Sequence, residues 1–298
     1  MKKIITILTI GVLALLAVGC SKTDSNSESK VNENGKIKIT ASIFPVAEIT
    51  KAIGGDKVDV LTLVPKGQEP HHFEPNTGAF KELLSSKMFI YNGLGMEEWL
   101  NDVSAKLKEN NILSVDSSKG VDVLKDGDKI DPHVWLSLKQ VQVQAKNIKD
   151  ALIKEDPKNE SYYNENYEKF IKDCNDLYSE YKPKFEELKN KNFVTGHAAF
   201  GYLCRDFGLT QESVSSLYAD GEPTPGKLQE LVNYCKEHNV KVIFSGTLSE
   251  PKTSETLAKE VGAKVVKIYT LESQDDDKTY LEAMKYNLDT IYNSMKEN

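Results

Sequence analysis

The sequence predicts an α/β fold of two (β/α) lobes, each a mostly parallel sheet flanked by helices, joined by one long backbone helix over a central cleft. Three observations predict it. Strand and helix patterns alternate along the first half of the chain, the same alternation returns in the second half, and a long amphipathic stretch separates the two.

The first half opens on "KIKITASIFP", whose apolar residues alternate as in a strand. "VAEITKAIGGD" is a helix closed by glycines, and "KVDVLTLVP" is a second strand. "TGAFKELLSSK" then reads as a helix, "MFIYNG" as a buried strand, "MEEWLNDVSAKLKEN" as a helix and "NILSVD" as another strand. A βαβα succession of this kind builds a parallel sheet with helices on both faces.

The middle of the chain is helical. "LKQVQVQAKNIKDALIKE" comes first, and a second stretch runs from Asp156 to Asn190, with Asp156 as N-cap and Pro157 in the first turn. Tyr163, Tyr167, Phe170, Cys174, Leu177 and Tyr181 recur every three or four residues and form one apolar stripe. Pro183 is expected to kink or end this helix. About 30 residues at 1.5 Å each reach ~45 Å, enough to run along both lobes and restrict hinge motion.

The second half repeats the rhythm. "NFVTG" is a strand, "HAAFGYLCRDFG" a helix stopped by glycine, and "LTQESVSSLY" holds the next strand. "GKLQELVNYCKEHN", "VKVIFSG", "SETLAKEVG" and "AKVVKIYT" follow as helix, strand, helix and strand. The segments "KELLSSKMFIYNG" and "LQELVNYCKEHNVKVIFSG" share a helix, a polar break and an apolar strand ending in glycine.

The chain begins with Lys2 and Lys3, then an apolar run from Ile4 to Val18, which reads as an export signal. The run ends in "LAVGC", and "SKTDSNSESKVNENGK" follows at once. Small residues before Cys20 and a polar tract after it make the pattern of a lipoprotein signal, in which the cysteine becomes the lipidated N-terminus. The polar tract cannot bury apolar surface and is expected to be a solvated tether, spanning ~22 Å on average as a flexible coil. The expected division is therefore a signal peptide at 1–19, a tether at 20–36, one lobe at 37–155, the connecting helix at 156–190 and the second lobe at 191–298. The folded part is placed at the cell membrane on the extracytoplasmic side.

Formal charge is −7, and removal of Lys2 and Lys3 with residues 1–19 makes it −9. An acidic surface of this kind argues against nucleic acid as a partner. Cys174, Cys204 and Cys235 are an odd set scattered along apparent helices, more like core thiols than a disulfide framework.

Five histidines stand at 71, 72, 133, 197 and 238. His71 follows a strand by a short loop, His133 lies in "DPHVWLS" before a helix, and His197 follows "FVTG" and opens a helix. Ligands of open α/β sheets gather beyond the carboxyl ends of the strands, so these three can converge from two lobes on the cleft. Glu272, after "KVVKIYTL", is again at a strand end, and the four are expected at equivalent topological places. Three neutral imidazoles and a carboxylate suit tetrahedral Zn²⁺, whereas Mn²⁺, the alternative, favours more oxygen. Asp275, Asp276 and Asp277, and further off Asp220 and Glu222, compete for the fourth place. His238 sits at a helix end, where a cation is favourable, and is read as structural.

"PHHFEP", "DPHVWLS", "GHAAFGYL" and "TLES…YLEAMKYNLDTI" resemble, in order, the motifs of the metal-binding lipoproteins of bacterial ABC importers, the zinc and manganese solute-binding family. The resemblance runs over essentially the whole mature chain. It implies two lobes on one long helix with the metal between them, and an ABC permease as partner. It also implies that His71, His133, His197 and Glu272 are the ligands, with His72 in the variable position. A histidine at the third position resembles the zinc branch. The histidine-rich loop of many periplasmic members is absent: "SSKGVDVLKDGDKI" offers only Asp122, Asp126 and Asp128.

Capture and delivery of Zn²⁺ by a monomer, without catalysis, is the expected activity. Asp131 is expected either to orient a ligand imidazole or only to start a helix. Affinity should fall as pH drops through the histidine range. Two rivals stand beside this reading. A zinc hydrolase lacks support, since no HExxH motif and no accompanying base are present. A surface adhesin is compatible with lipid anchoring.

Overall fold

The computed structural model describes residues 34–219, 223–246, 248 and 251–296. The expected signal segment, Cys20, most of the tether, Asp220 and Glu222 lie outside them. Among the described residues no helix is long and apolar enough to cross a membrane.

The first lobe contains β1 (Ile37–Ala41), α1 (Phe44–Gly54), β2 (Val58–Thr62), α2 (Thr77–Ser85), β3 (Met88–Tyr91), α3 (Leu100–Glu109) and β4 (Leu113–Asp116). A two-stranded hairpin follows, β5 (Lys125–Asp126) with β6 (Lys129–Ile130). Then come α4 (Gln140–Glu155) and the long helix α5 (Glu160–Glu186). The second lobe contains β7 (Asn192–His197), α6 (Gly201–Phe207), β8 (Thr210–Ser215), α7 (Pro225–Glu237), β9 (Val242–Ser245), α8 (Pro251–Val261) and β10 (Lys264–Lys267). The last helix is α9 (Tyr280–Met295).

Both four-stranded sheets are parallel throughout, ordered β2-β1-β3-β4 and β10-β9-β7-β8. Counted from its own first strand, each lobe has the order 2-1-3-4. The short apolar strands "MFIY" and "VIFS" are buried almost throughout, as strands covered by helices on both faces must be. Local chemistry fixes the helix starts. Asn76 accepts the Ala79 N–H at the head of α2, Thr224 accepts that of Lys227 before Pro225 of α7, and Thr279 and Glu282 form a capping box on α9. Gly208, at φ 73°, ends α6 in a left-handed turn.

Some elements differ from expectation. Residues Pro157–Asn159 form a separate 3₁₀ turn, and Asp156 accepts from Asn159 Nδ2 and the Tyr163 hydroxyl instead of capping α5. Pro183 lies inside α5 without ending it, because near the last turn its missing N–H removes a single bond. α3 starts at Leu100 instead of Met96, and the preceding turn is fastened by Glu97. Its carboxylate accepts the N–H groups of Asn92 and Gly93 at 2.8 and 2.9 Å. Burial dominates that carboxyl and pushes its pKa up to about 7.

α5, about 40 Å long at 27 residues, packs on α1 and α4 at one end and on α6 and α9 at the other. α9 also reaches α1. One apolar cluster consequently runs from Ile37 to Met295 through both lobes, and a smaller one lies under α7 and α8. Cys174, Cys204 and Cys235 are free and buried, with burial raising Cys174 to about 12 and Cys235 to about 11.

Candidate metal centre

Four side chains meet between the lobes. His71 Nε2 lies 3.2 Å from His133 Nε2 and 3.2 Å from Glu272 Oε1. His133 Nε2 is 3.1 Å from Glu272 Oε1, and His197 Nε2 is 3.1 Å from both. Five of the six separations are thus 3.1–3.2 Å, and a regular tetrahedron with such edges has its centre about 1.9 Å from each corner, near the 2.0–2.2 Å of zinc bonded to nitrogen or oxygen. All four residues are buried, at 4 % exposure or less. Among the described residues they are the one group of this kind. An octahedral ion would need further donors that this shell does not bring in.

Each donor arrives differently. His71 sits in the loop after β2, anchored by the buried ring of Phe73, and Glu69 Oε1 accepts its backbone N–H at 2.7 Å. Gly67 N–H in the same loop donates to Ser273 Oγ at 2.6 Å, tying it to the segment that carries Glu272. His72 points to the exposed side, as adjacent side chains of an extended segment diverge. His197 is the last residue of β7, not the first of a helix; α6 begins four residues later at Gly201.

His133 opens the 3₁₀ turn Val134–Leu136. Asp131 Oδ1 accepts both its backbone N–H at 2.9 Å and its Nδ1–H at 2.8 Å. The aspartate therefore fastens the turn and orients the ring with one oxygen. Asn92 Nδ2 donates to Pro132 O, the Tyr202 hydroxyl to Asp131 O, Trp135 Nε1 to Thr270 O and the Tyr280 hydroxyl to Trp135 O. Glu272 follows Leu271, whose φ of 63° is left-handed. A non-glycine residue there costs roughly 1–3 kcal/mol and persists only when its surroundings impose it. Here Asn287 of α9 clamps Tyr269, accepting its N–H at 2.8 Å and donating to its carbonyl at 2.7 Å.

The donors are not topologically equivalent, contrary to expectation. His133 and Glu272 both follow the fourth strand of their lobe, whereas His71 follows a second strand and His197 ends a first. Sequence spacing cannot register this, because loop lengths and the inserted hairpin compensate. Asp275, Asp276 and Asp277 stay outside the cluster; Asp276 instead takes Lys278 and the Tyr269 hydroxyl, which hold its pKa at about 2. Asp122 pairs with Arg205. His238 lies against Tyr234, with centroids 4.4 Å apart and the rings tilted by 50°.

Electrostatics differ around the shell. Burial pulls His133 down, but the hydrogen bonds and charges of Asp131 and Glu272 override it and lift the pKa to about 9. Burial, opposed by Glu272, leaves His71 below its ordinary value. Burial disfavours the Glu272 carboxylate, yet the three imidazoles hold its pKa well down. The buried Nδ1 atoms of His71 and His197 meet no acceptor among the described residues.

Two contacts around the site were not foreseen. Trp135 is fully buried and ties the His133 turn to the second lobe; its place two residues after the histidine in "DPHVWLS" was an available signal. Tyr218 crosses from the second lobe, its ring edge-on to His71 at 5.4 Å and its hydroxyl donating to Ile130 O at 3.0 Å. Nothing in the local sequence marks it.

A two-lobed α/β frame with an enclosed donor shell at the seam defines a solute-binding protein for a metal ion. The family model for the periplasmic zinc-uptake complex component A (ZnuA) matches residues 39–294, and the chain belongs to that family. The high-affinity zinc uptake system protein ZnuA of Bacillus subtilis (strain 168) is 34% identical over 95% of this chain and 94% of its own length. The zinc-binding lipoprotein AdcA of Streptococcus pneumoniae (strain ATCC BAA-255 / R6) is 30% identical over 98% of this chain, which spans 60% of that longer protein. Among solved structures, the laminin binding protein Lmb of Streptococcus agalactiae, described as bifunctional with adhesin and metal transporting activity, superposes with a TM-score of 0.83. It is 33% identical, over 88% of this chain and all of that one.

Proposed function

We propose that this chain is the extracytoplasmic solute-binding component of a zinc importer, capturing Zn²⁺ through His71, His133, His197 and Glu272 and handing it to an ABC permease. The observation that carries the reading is the close cluster of three Nε2 atoms and Glu272 Oε1, in which five of the six separations are 3.1–3.2 Å and all lie within 4.8 Å. Family membership supports zinc over manganese, as do three nitrogen donors. A shell of four protein donors leaves no coordination position for the water that a zinc hydrolase activates, so the reading is of a carrier, not an enzyme. The protein acts as a monomer, with lobes at 37–155 and 191–298 on the connector 156–190. It is held at the membrane by lipid on Cys20, with several acyl chains giving stable attachment.

Competition titration of metal-free protein against a chromophoric chelator tests the core of this reading. One Zn²⁺ per chain is expected, bound far more weakly after Glu272→Ala. A chain that binds no zinc, or binds it equally well without Glu272, overturns the assignment. Membrane fractionation of Cys20→Ser tests the anchor: the variant should appear in the soluble fraction. Likeness to Lmb supports a second activity, adhesion to laminin. Binding of the purified chain to immobilised laminin checks it.

A further inference from the structure

Asp131 turns only one of its oxygens to His133. Oδ1 takes both bonds from that residue, and Oδ2 faces the head of α6. A Cβ placed on Gly201 would stand 2.8 Å from Oδ2, with Leu124 Cδ1 at 3.6 Å and Gln211 Oε1 at 3.9 Å. The φ of Gly201 is not among the positive values, so its backbone does not call for glycine. The space does.

A carboxylate at the end of a free side chain would step aside from a methyl group at little cost. This one is buried, and the two hydrogen bonds on its Oδ1 both come from His133. Any retreat is therefore transmitted to the imidazole. A polar cavity of about 460 Å³ opens on the same spot, lined among others by Asp131, Gly201, Gln211 and Lys227. A displaced carboxylate has that space to enter, away from the ring.

We propose that Gly201 is a positioning residue for metal capture: its bare Cα makes the room in which the Asp131 carboxylate stands, and so holds the His133 ring on the ion. The inference rests on His133 being a zinc ligand and deepens that reading. It reaches the ion through a residue 70 positions away in sequence, and the contact with Asp131 distinguishes it from any direct effect on nearby His197. Loss of such an outer partner typically weakens metal binding 10- to 100-fold.

A double-mutant cycle tests it, using full-length folded domain and zinc alone at pH 7.5. Gly201→Ala should weaken zinc binding by about tenfold and Asp131→Ala by about 10- to 100-fold. The pair together should match Asp131→Ala alone within about twofold, since independent effects would instead add. Wild-type affinity in Gly201→Ala, or the same factor lost again in the Asp131→Ala background, overturns the proposal. Thermal unfolding of the metal-free proteins closes the remaining route. If Gly201→Ala fails to fold while the double variant folds, the clash is with Asp131 and the proposal stands. If neither folds, the methyl collides elsewhere and the proposal falls. A wild-type chain that binds no zinc would refute the zinc reading itself, whereas the unfolding cycle would still report the steric coupling.

Discussion

The segments that carry His133 and His71 deliver the same ring atom to the same point by different means. Residues 131–137 are bolted on both sides. Asn92 holds them to the first sheet, Tyr202, Trp135 and Tyr280 hold them to the second lobe, and Ser137 Oγ donates to Asp206 Oδ2 at 2.6 Å. Residues 65–76 lean on Glu69, Phe73 and the Gly67–Ser273 bond, and the His71 Nδ1 meets no acceptor among the described residues. One imidazole is oriented by a carboxylate before any ion arrives, and the other takes its direction from the loop. Of these two donors, His133 is the one held ready.

The largest expected effect comes from deleting that donor. His133→Ala removes a proposed ligand and leaves the buried Asp131 carboxylate without its partner, so zinc affinity should drop by more than the roughly 100-fold typical of losing an outer partner. His71→Ala should cost less, because it strands no buried charge behind it. Competition titration of the two variants side by side checks the order, and equal losses would erase the contrast.

Next comes the partner alone. Asp131→Ala is expected to weaken binding about 10- to 100-fold, while Glu69→Ala, which removes a bond to the backbone of His71 and none to its ring, should change it by less than about fivefold. Measured in the same assay, a larger loss at Glu69 would reverse the reading of which segment is held ready.

Acidity sharpens the comparison. His133, lifted to about 9, carries a proton at neutral pH in the metal-free protein; His71, lowered by burial, does not. Since the folded value of His133 lies above the ordinary imidazole value of 6.5, its contribution to metal-free stability is full below about 6.5 and is lost as pH rises towards 9. Metal binding runs the other way, tightening over that window as the competing proton leaves. Calorimetry in buffers of different ionisation enthalpy should find about one proton released per zinc at pH 7.5. The smallest effect belongs to His72, exposed beside His71: His72→Ala should leave affinity within about twofold, and a larger change would mean that the ring reaches the ion.

Periodicity exposed the alternating strands and helices because each buries one face or stripe. The three histidines that meet at the seam stood out because histidine is scarce and strand ends collect ligands, whereas Glu272 stayed in competition with nearby acids until the fold brought it to them. What stayed hidden depends on contacts between distant segments. The hairpin β5–β6 has two-residue strands too short and polar to show a period. α9 was not expected from the sequence, although the capping box of Thr279 and Glu282 is a local mark of its start; its packing across to α1 is a tertiary fact. The left-handed Leu271 has no local cause in its own sequence, and the nearby clamp that Asn287 puts on Tyr269 comes from a helix 18 residues further on. Asp131 was ambiguous between two roles, and one oxygen accepts both the backbone N–H and the Nδ1–H of His133.

His71 and Glu272 lie 201 residues apart. A polypeptide made from its N-terminus cannot bring the four side chains together until synthesis has passed Glu272. A product that stops short of that residue lacks the carboxylate that closes the group. Cargo is thus reserved for molecules in which both lobes are present.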